Sequence, residues 1–302
     1  MDQKITQVTE ATVKNPGLKW VPIPKNRYIV NPNHIPPKDE DRPLDKQEIR
    51  EYMGIVGSLL WISGIRPDIM FAVIFLTWFT SCPQLHHLRS AYHVIQYLHT
   101  TMKIGLILGG PEGVNIQGLY DSALGTGKHG RTIVGYLFRL ATEAGAIYSC
   151  TKSTQSTVLN IFEGELESGA KCLQTAKALQ NIFKELGIKV DTPTLYGDNQ
   201  ASIEFIKGNN QPTGVRHMQL RLWMIRENYI SNAVIFQHVP GATLLADYLT
   251  KLAYAVQHNI FAVSILGLRL IGITDIRNFL GHGCTEKYSE DDLEEEERAN
   301  SV

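Results

Sequence analysis

The sequence predicts an α/β protein, a mixed sheet with helices on its faces, preceded by a small helical module. Three observations point there. Apolar residues recur at helical spacing from Lys46 to about residue 102. After Lys103 the chain turns to short β-branched and aromatic runs separated by glycine-containing turns. From about residue 163, helical and strand-like segments alternate, giving the order βββαβααβα and hence a mixed sheet.

Residues 1–45 are rich in proline, asparagine and charge and keep no period, so they are expected to be extended. Three helical segments follow, KQEIREYMGIVGSLLWISG, RPDIMFAVIFLTWFTSC and HHLRSAYHVIQYLHTT, punctuated by Pro67 and Pro83 near helix starts. The strand-like runs are KIGLILGG, VNIQGLYDSA, TIVGYLFRLA and AIYSCTK. A long helix is expected at about 163–186, ended by Gly187 in the C-terminal position that favours glycine. Next come a strand (TPTLYGD), two helices (NQASIEFIKG and HMQLRLWMIRENYIS), a strand (AVIFQHV) and a helix from about Leu244. Residues 256–285 read as a helical extension, and 286–302, nearly free of apolar residues, as a disordered tail.

Composition narrows the function classes. Four scattered cysteines without CxxC spacing argue against a zinc site or a disulfide framework. The opening residues lack the pattern of a signal peptide, and the longest apolar run, 69–79, is half a membrane span, so a soluble protein with no membrane partner and no small-molecule cofactor is expected. The formal charge of −1 hides a tail of −6 on a body of +5, a balance that fits a nucleic-acid binder loosely.

Four acids stand where a carboxylate is otherwise awkward: Asp121 at the end of the strand IQGLY, Glu165 one turn into the long helix, Asp198 after the strand TLYG, and Asp247 within LLADYLTK, read as the last domain helix. Singly, each is best explained as a turn or cap residue. Together, at the ends of neighbouring strands and on helices, they would converge on one edge of the sheet. Such a cluster of hard oxygen ligands suits magnesium, and two such ions activate water for phosphodiester hydrolysis.

The motifs carry a resemblance. GLYDSALG with RTIVGYLF, KSTQSTV with EGELES, YGDNQASIEFIKGN, RHMQLRLWMIRE and HVPGATLLADYLTK resemble, in order and spacing, the RNase H motifs of copia-type retrotransposon Pol polyproteins. The helical segments from Tyr52 to Thr101 resemble the end of that family's reverse transcriptase. The resemblance implies an RNase H-like domain at 103–255, a reverse-transcriptase connection module at 46–102 and a polymerase remnant at 1–45. It implies that Asp121, Glu165, Asp198 and Asp247 are the catalytic, metal-binding acids, with Glu165 preferred to Glu163 because it precedes Leu166. The cofactor would be Mg2+, with Mn2+ as a substitute, and the partners an RNA–DNA hybrid and other retrotransposon polyprotein products. Location would be a cytoplasmic retrotransposon particle, with the nucleus as the alternative.

Nucleic-acid contacts are expected from Asn199 and Gln200 beside Asp198 and from Lys152, Arg216 and His217, with Arg221 and Arg226 as weaker candidates. His238 and the pair His86–His87 are candidate catalytic histidines, and the aromatic stripe Trp61, Phe71, Phe75, Trp78 and Phe79 is a candidate stacking platform; buried core is the better reading of the stripe. Two departures stand out. Ala123 and Leu124 replace an acid and a tryptophan of the family pattern, and no YxDD-type polymerase turn occurs, so no DNA synthesis is expected. The readings carried forward are an RNase H-type endonuclease, a retrotransposon remnant that keeps only the fold, and a fragment that folds only within the full polyprotein.

Overall fold

The computed structural model describes residues 41–109, 114–155, 158–208, 218–253 and 255–272. The expected extended lead-in (but for residues 41–45), the acidic tail, and the candidates Arg216 and His217 lie outside the described residues.

The chain opens with three helices, α1 (Lys46–Ile62), α2 (Met70–Thr77) and α3 (Leu85–Thr100). Asp45 starts α1 through a capping box: its carboxylate accepts from the Gln47 and Glu48 amides while Glu48 accepts from the Asp45 amide. Pro67 opens a 3-10 turn into α2, and His87 caps α3 by accepting from the Gln84 amide. Their apolar faces close over Tyr52, Leu59, Phe71, Leu76 and Val94.

The sheet follows: β1 (Gln117–Ala123), β2 (Ile133–Arg139), β3 (Tyr148–Ser153), β4 (Thr194–Gly197) and β5 (Ile235–His238), in the order β3-β2-β1-β4-β5. The first three strands are antiparallel neighbours, whereas β4 runs parallel to β1 and β5 parallel to β4. A parallel neighbour demands a crossover, and α4 (Ile161–Glu185) supplies it, with Asn160 as its N-cap and Gly187 at φ +71° just past its end. Helices α5 (Gln200–Lys207) and α6 (Gln219–Ile230) connect β4 to β5, and α7 (Ala255–Ile265), followed by a 3-10 turn (Leu268–Ile271), closes the described chain. This mixed sheet, three antiparallel strands extended on one side by two parallel ones and flanked by helices, is the RNase H-like architecture that the motifs imply.

Alternation along the strands sorts the two faces. Tyr120, Tyr136 and Phe138 pack with α4, α5 and α6, while Leu119 and Leu137 pack with Leu244, Leu249, Phe261 and Ile265 on the other. Met70 of α2 joins that second core, and Ile133 and Leu252 join the helical one, so the three helices share side chains with the sheet.

Three expectations need correction. The described part of the run KIGLILGG, residues 103–109, is not a strand: Ile107 donates to the Leu266 carbonyl at the end of α7 and accepts from Gly145, so its polar groups are met outside the ladder. Asp121 lies inside β1, paired with Gly135, rather than at its end. Asp247 lies on a 3-10 turn, Leu245–Leu249, not on an α-helix; α7 starts only after it.

Candidate metal centre

Asp121, Glu165 and Asp198 each present a ligand atom within 4.8 Å of the other two. Three different elements deliver them: Asp121 from the central strand β1, Glu165 from α4, and Asp198 from the residue that follows β4. Close approach of α4 is possible because residue 164 is glycine; a Cβ there would lie 2.6 Å from Ser122 Oγ. That same Ser122 hydroxyl donates to Glu165 Oε1 at 2.7 Å. The neighbouring Glu163 is spent on the helix start, accepting from the Leu159 amide at 2.9 Å, which leaves Glu165 as the glutamate that faces the other acids.

Gly135 does for the opposite face of the sheet what Gly164 does for α4. A Cβ at 135 would lie 2.8 Å from Leu249 Cβ and 2.8 Å from Thr250 Cγ2, so only glycine lets the segment 245–250 lie on the ladder opposite Asp121. There Thr250 Oγ1 donates to Asp121 Oδ2 at 2.6 Å, and Thr151 Oγ1 donates to the Leu249 carbonyl at 2.8 Å. The Ser168 hydroxyl holds the Asp121 carbonyl at 2.8 Å.

The electrostatics are those of a site short of positive charge. Burial pushes the Asp121 carboxyl up to about 6, opposed by the Thr250 hydrogen bond and aided by Asp247 and Asp198. Burial, then the charge of Asp121, pushes Glu165 up to about 8. Asp198, half-buried, is also raised, first by burial and then by Asp247. Glu165 Oε2 is buried without a hydrogen-bond partner. An orphaned carboxylate oxygen facing two further acids fits a divalent cation, which would satisfy the oxygen and offset the repulsion among the three groups.

Asp247 stands apart from the triad's cluster. Its charge is felt at Asp121 and Asp198, yet its Oδ1 pairs with Lys251 Nζ at 2.7 Å. The sequence reasoning missed Ser122 and Thr250, the two hydroxyls that hold the buried acids; Thr250 lay within the quoted LLADYLTK segment, but nothing in the sequence told which side chain it would meet.

The remaining candidates are dispersed. Asn199 Oδ1 accepts from the Ser202 amide and caps α5, and Gln200 bonds Glu204 along the same helix. Lys152 is exposed on β3. Arg221 pairs with Glu167 at 2.9 Å, and Arg226 donates to the Phe205 carbonyl and lies over the Phe205 ring, so both have structural partners. Ring nitrogen Nε2 of His238 lies 3.0 Å from the Asp198 carbonyl, beside the acids. His86 pairs with Asp41 and His87 caps α3, away from them. Phe71, Phe75 and Trp78 are buried core as expected, but Trp61 is 80% exposed.

Comparison with known proteins agrees with the motifs. No protein-family model matches the chain. It is 28% identical over 203 residues to the Retrovirus-related Pol polyprotein from transposon RE1 of Arabidopsis thaliana, covering 67% of this chain and 14% of that protein. It is 26% identical over 202 residues to the corresponding polyprotein of transposon TNT 1-94 of Nicotiana tabacum, covering 66% and 15%. The chain thus spans about one seventh of the length of these relatives. Among solved structures it aligns with RNase H1 of Halobacterium salinarum NRC-1 at 17% identity and a TM-score of 0.34, over 45% of this chain and 93% of that one. Over two thirds of its length, the chain is similar to Pol polyproteins of copia-type transposons.

Proposed function

We propose that this chain, similar as it is to copia-type Pol polyproteins, is a retrotransposon ribonuclease H, a magnesium-dependent endonuclease that cuts the RNA strand of an RNA–DNA hybrid. The observation that carries this reading is the meeting of Asp121, Glu165 and Asp198 within 4.8 Å on an RNase H-like sheet, with one Glu165 oxygen unpartnered.

In this reading Asp121, Glu165 and Asp198 would hold the metal, with Asp247, paired with Lys251 in this structure, as the fourth acid. Two magnesium ions, or manganese in their place, would supply an activated water and stabilise the leaving oxygen. The chain's own residues set the geometry. Ser122 orients Glu165, Gly164 and Gly135 let the flanking segments lie against β1 and β2, and burial keeps bulk water from screening the Asp121 and Glu165 carboxylates. Products would carry 3′-hydroxyl and 5′-phosphate ends.

Recognition would rest on hybrid shape, phosphates and 2′-hydroxyls rather than base edges. Lys152, Asn199, Gln200, Arg216 and His217 remain the proposed contacts, Asn199 at a polar cap beside Asp198. Other polyprotein products would be further partners, and a cytoplasmic particle the place of action.

Two observations favour the remnant reading: Asp247 is tied to Lys251, and Ala123 and Leu124 replace two residues of the family pattern. Cleavage of a labelled RNA–DNA hybrid separates the two. The nuclease reading expects magnesium-dependent cleavage that vanishes with EDTA and falls at least a thousandfold in Asp198→Asn; a folded chain that binds the hybrid and leaves it intact would establish the remnant.

A further inference from the structure

Thr250 is 0% exposed, and its hydroxyl stands between the Asp121 carboxylate and the backbone of Asp247. Oγ1 lies 2.6 Å from Asp121 Oδ2 and 2.8 Å from the backbone carbonyl of Asp247. A hydroxyl has one proton to give, and the charged carboxylate is the stronger acceptor. The Thr250 methyl is equally placed, seated over Gly135, the residue directly opposite Asp121 in the β1–β2 ladder. Both halves of one side chain therefore register the 245–250 segment against the residue pair that carries the first acid.

We propose that Thr250 is a positioning residue for the metal centre: its hydroxyl fixes the orientation of the Asp121 carboxylate and couples that orientation to the backbone turn bearing Asp247. The inference rests on the metal-centre reading above and deepens it. With one Asp121 oxygen held by a neutral donor, the other is left for the cation, and the carboxylate cannot rotate freely. A nearby hydroxyl latch supplies a control, because Thr151 ties the same segment to the sheet with its hydroxyl donating to the Leu249 carbonyl rather than to an acid. If Thr250 merely anchored the segment, the two threonines would be equivalent.

The test is a calorimetric titration of the full chain with Mn2+, free of nucleic acid, on the parent, Thr250→Val, Thr250→Ser and Thr151→Val, each with a melting curve. Removal of an outer partner of a ligand weakens metal binding by about 10–100-fold, so Thr250→Val should bind Mn2+ that much more weakly. Thr250→Ser, which keeps the hydroxyl, should bind close to the parent, and Thr151→Val should melt earlier with Mn2+ affinity unchanged. Parent-like affinity in Thr250→Val, a loss in Thr250→Ser as large as that in Thr250→Val, or an equal loss in Thr151→Val would overturn the proposal. Should Thr250→Val fail to fold, Thr250→Ala takes its place as the variant without the hydroxyl: a loss of Mn2+ affinity of about 10–100-fold is expected there, and parent-like affinity would overturn the proposal. Absence of Mn2+ binding by the parent would instead remove the metal centre itself, and this inference with it.

Discussion

Glu165 and Asp121 are acids that the fold holds at a cost, and the cost has a sign that can be measured. Glu165 is pushed up to about 8 from an ordinary 4.5, and Asp121 to about 6 from 3.8, in both cases chiefly by burial. Below about pH 6.5 the buried His87 and His258, which burial lowers to about 3 and about 4, oppose the effect of these two acids. Above it they are neutral in both states while the folded, metal-free protein still keeps the Glu165 proton that the unfolded chain has released, so stability falls as pH rises from about 6.5 to 8. In EDTA the melting temperature should therefore be a few degrees lower at about pH 8 than at about pH 6.5. Glu165→Gln, which cannot ionise, should flatten that slope, and added Mg2+ should raise stability most at the alkaline end. A metal-free melting temperature that climbed with pH over this range would contradict the electrostatic account. The choice of Glu165 over Glu163 could be made from the resemblance alone, and the geometry gives its physical counterpart: Glu163 is used up capping α4. The two hydroxyls that hold the acids were beyond reach, because Ser122 and Thr250 find their partners 43 and 129 residues away.

Element by element, the sequence was most informative where local chemistry dictates structure. Pro67 and Gly187 marked helix ends, and short β-branched and aromatic runs between glycine-containing turns marked β1, β2 and β3, so the order of elements could be read directly. KIGLILGG misled because an apolar, glycine-flanked run looks the same whether its backbone partners are a strand or, as here, a helix end and a turn. Asp247 was misplaced on a helix for a related reason: LLADYL has helical spacing but lies as a single 3-10 turn pressed on the sheet over Gly135. That contact predicts its own test. Gly135→Ala puts a methyl within 2.8 Å of two side-chain carbons, an overpacking that should cost about 1–3 kcal/mol in denaturant unfolding. It should also weaken Mn2+ binding, since the displaced segment carries Thr250 and Asp247. An unchanged stability would mean that the segment is not held against β2 as described.

At the scale of the whole molecule, the three N-terminal helices and the sheet behave as one packed body among the described residues. Met70 lies in the sheet's second core, and Ile133 and Leu252 lie in the helical one. A buried polar network reinforces the junction. Arg66 is bidentate to Asp68 at 2.9 and 2.7 Å, Tyr97 donates to Asp68 at 2.7 Å, and His258 of α7 lies 3.1 Å from the Tyr97 hydroxyl. Removing one partner of such a pair leaves a buried charge, so Asp68→Ala should cost about 3–5 kcal/mol in denaturant unfolding. A parent-like midpoint in that variant would show the network to be dispensable. For the same reason a piece beginning at residue 103 should be markedly less stable than the whole chain, because it uncovers Ile133, Phe261 and Leu252. Resistance of such a piece to limited proteolysis equal to that of the whole chain would argue against a shared core.

The central claim, that the three converging carboxylates run a metal-dependent hydrolysis of RNA paired to DNA, is tested most directly by the chemistry of the cut. An RNA–DNA hybrid labelled on each strand in turn is incubated with the chain and Mg2+, and the product ends are identified. The account predicts cleavage of the RNA strand alone, with 3′-hydroxyl and 5′-phosphate ends and none in EDTA. Cyclic 2′,3′-phosphate ends formed in EDTA would mean that the 2′-hydroxyl, not a metal-activated water, is the nucleophile, and would contradict it.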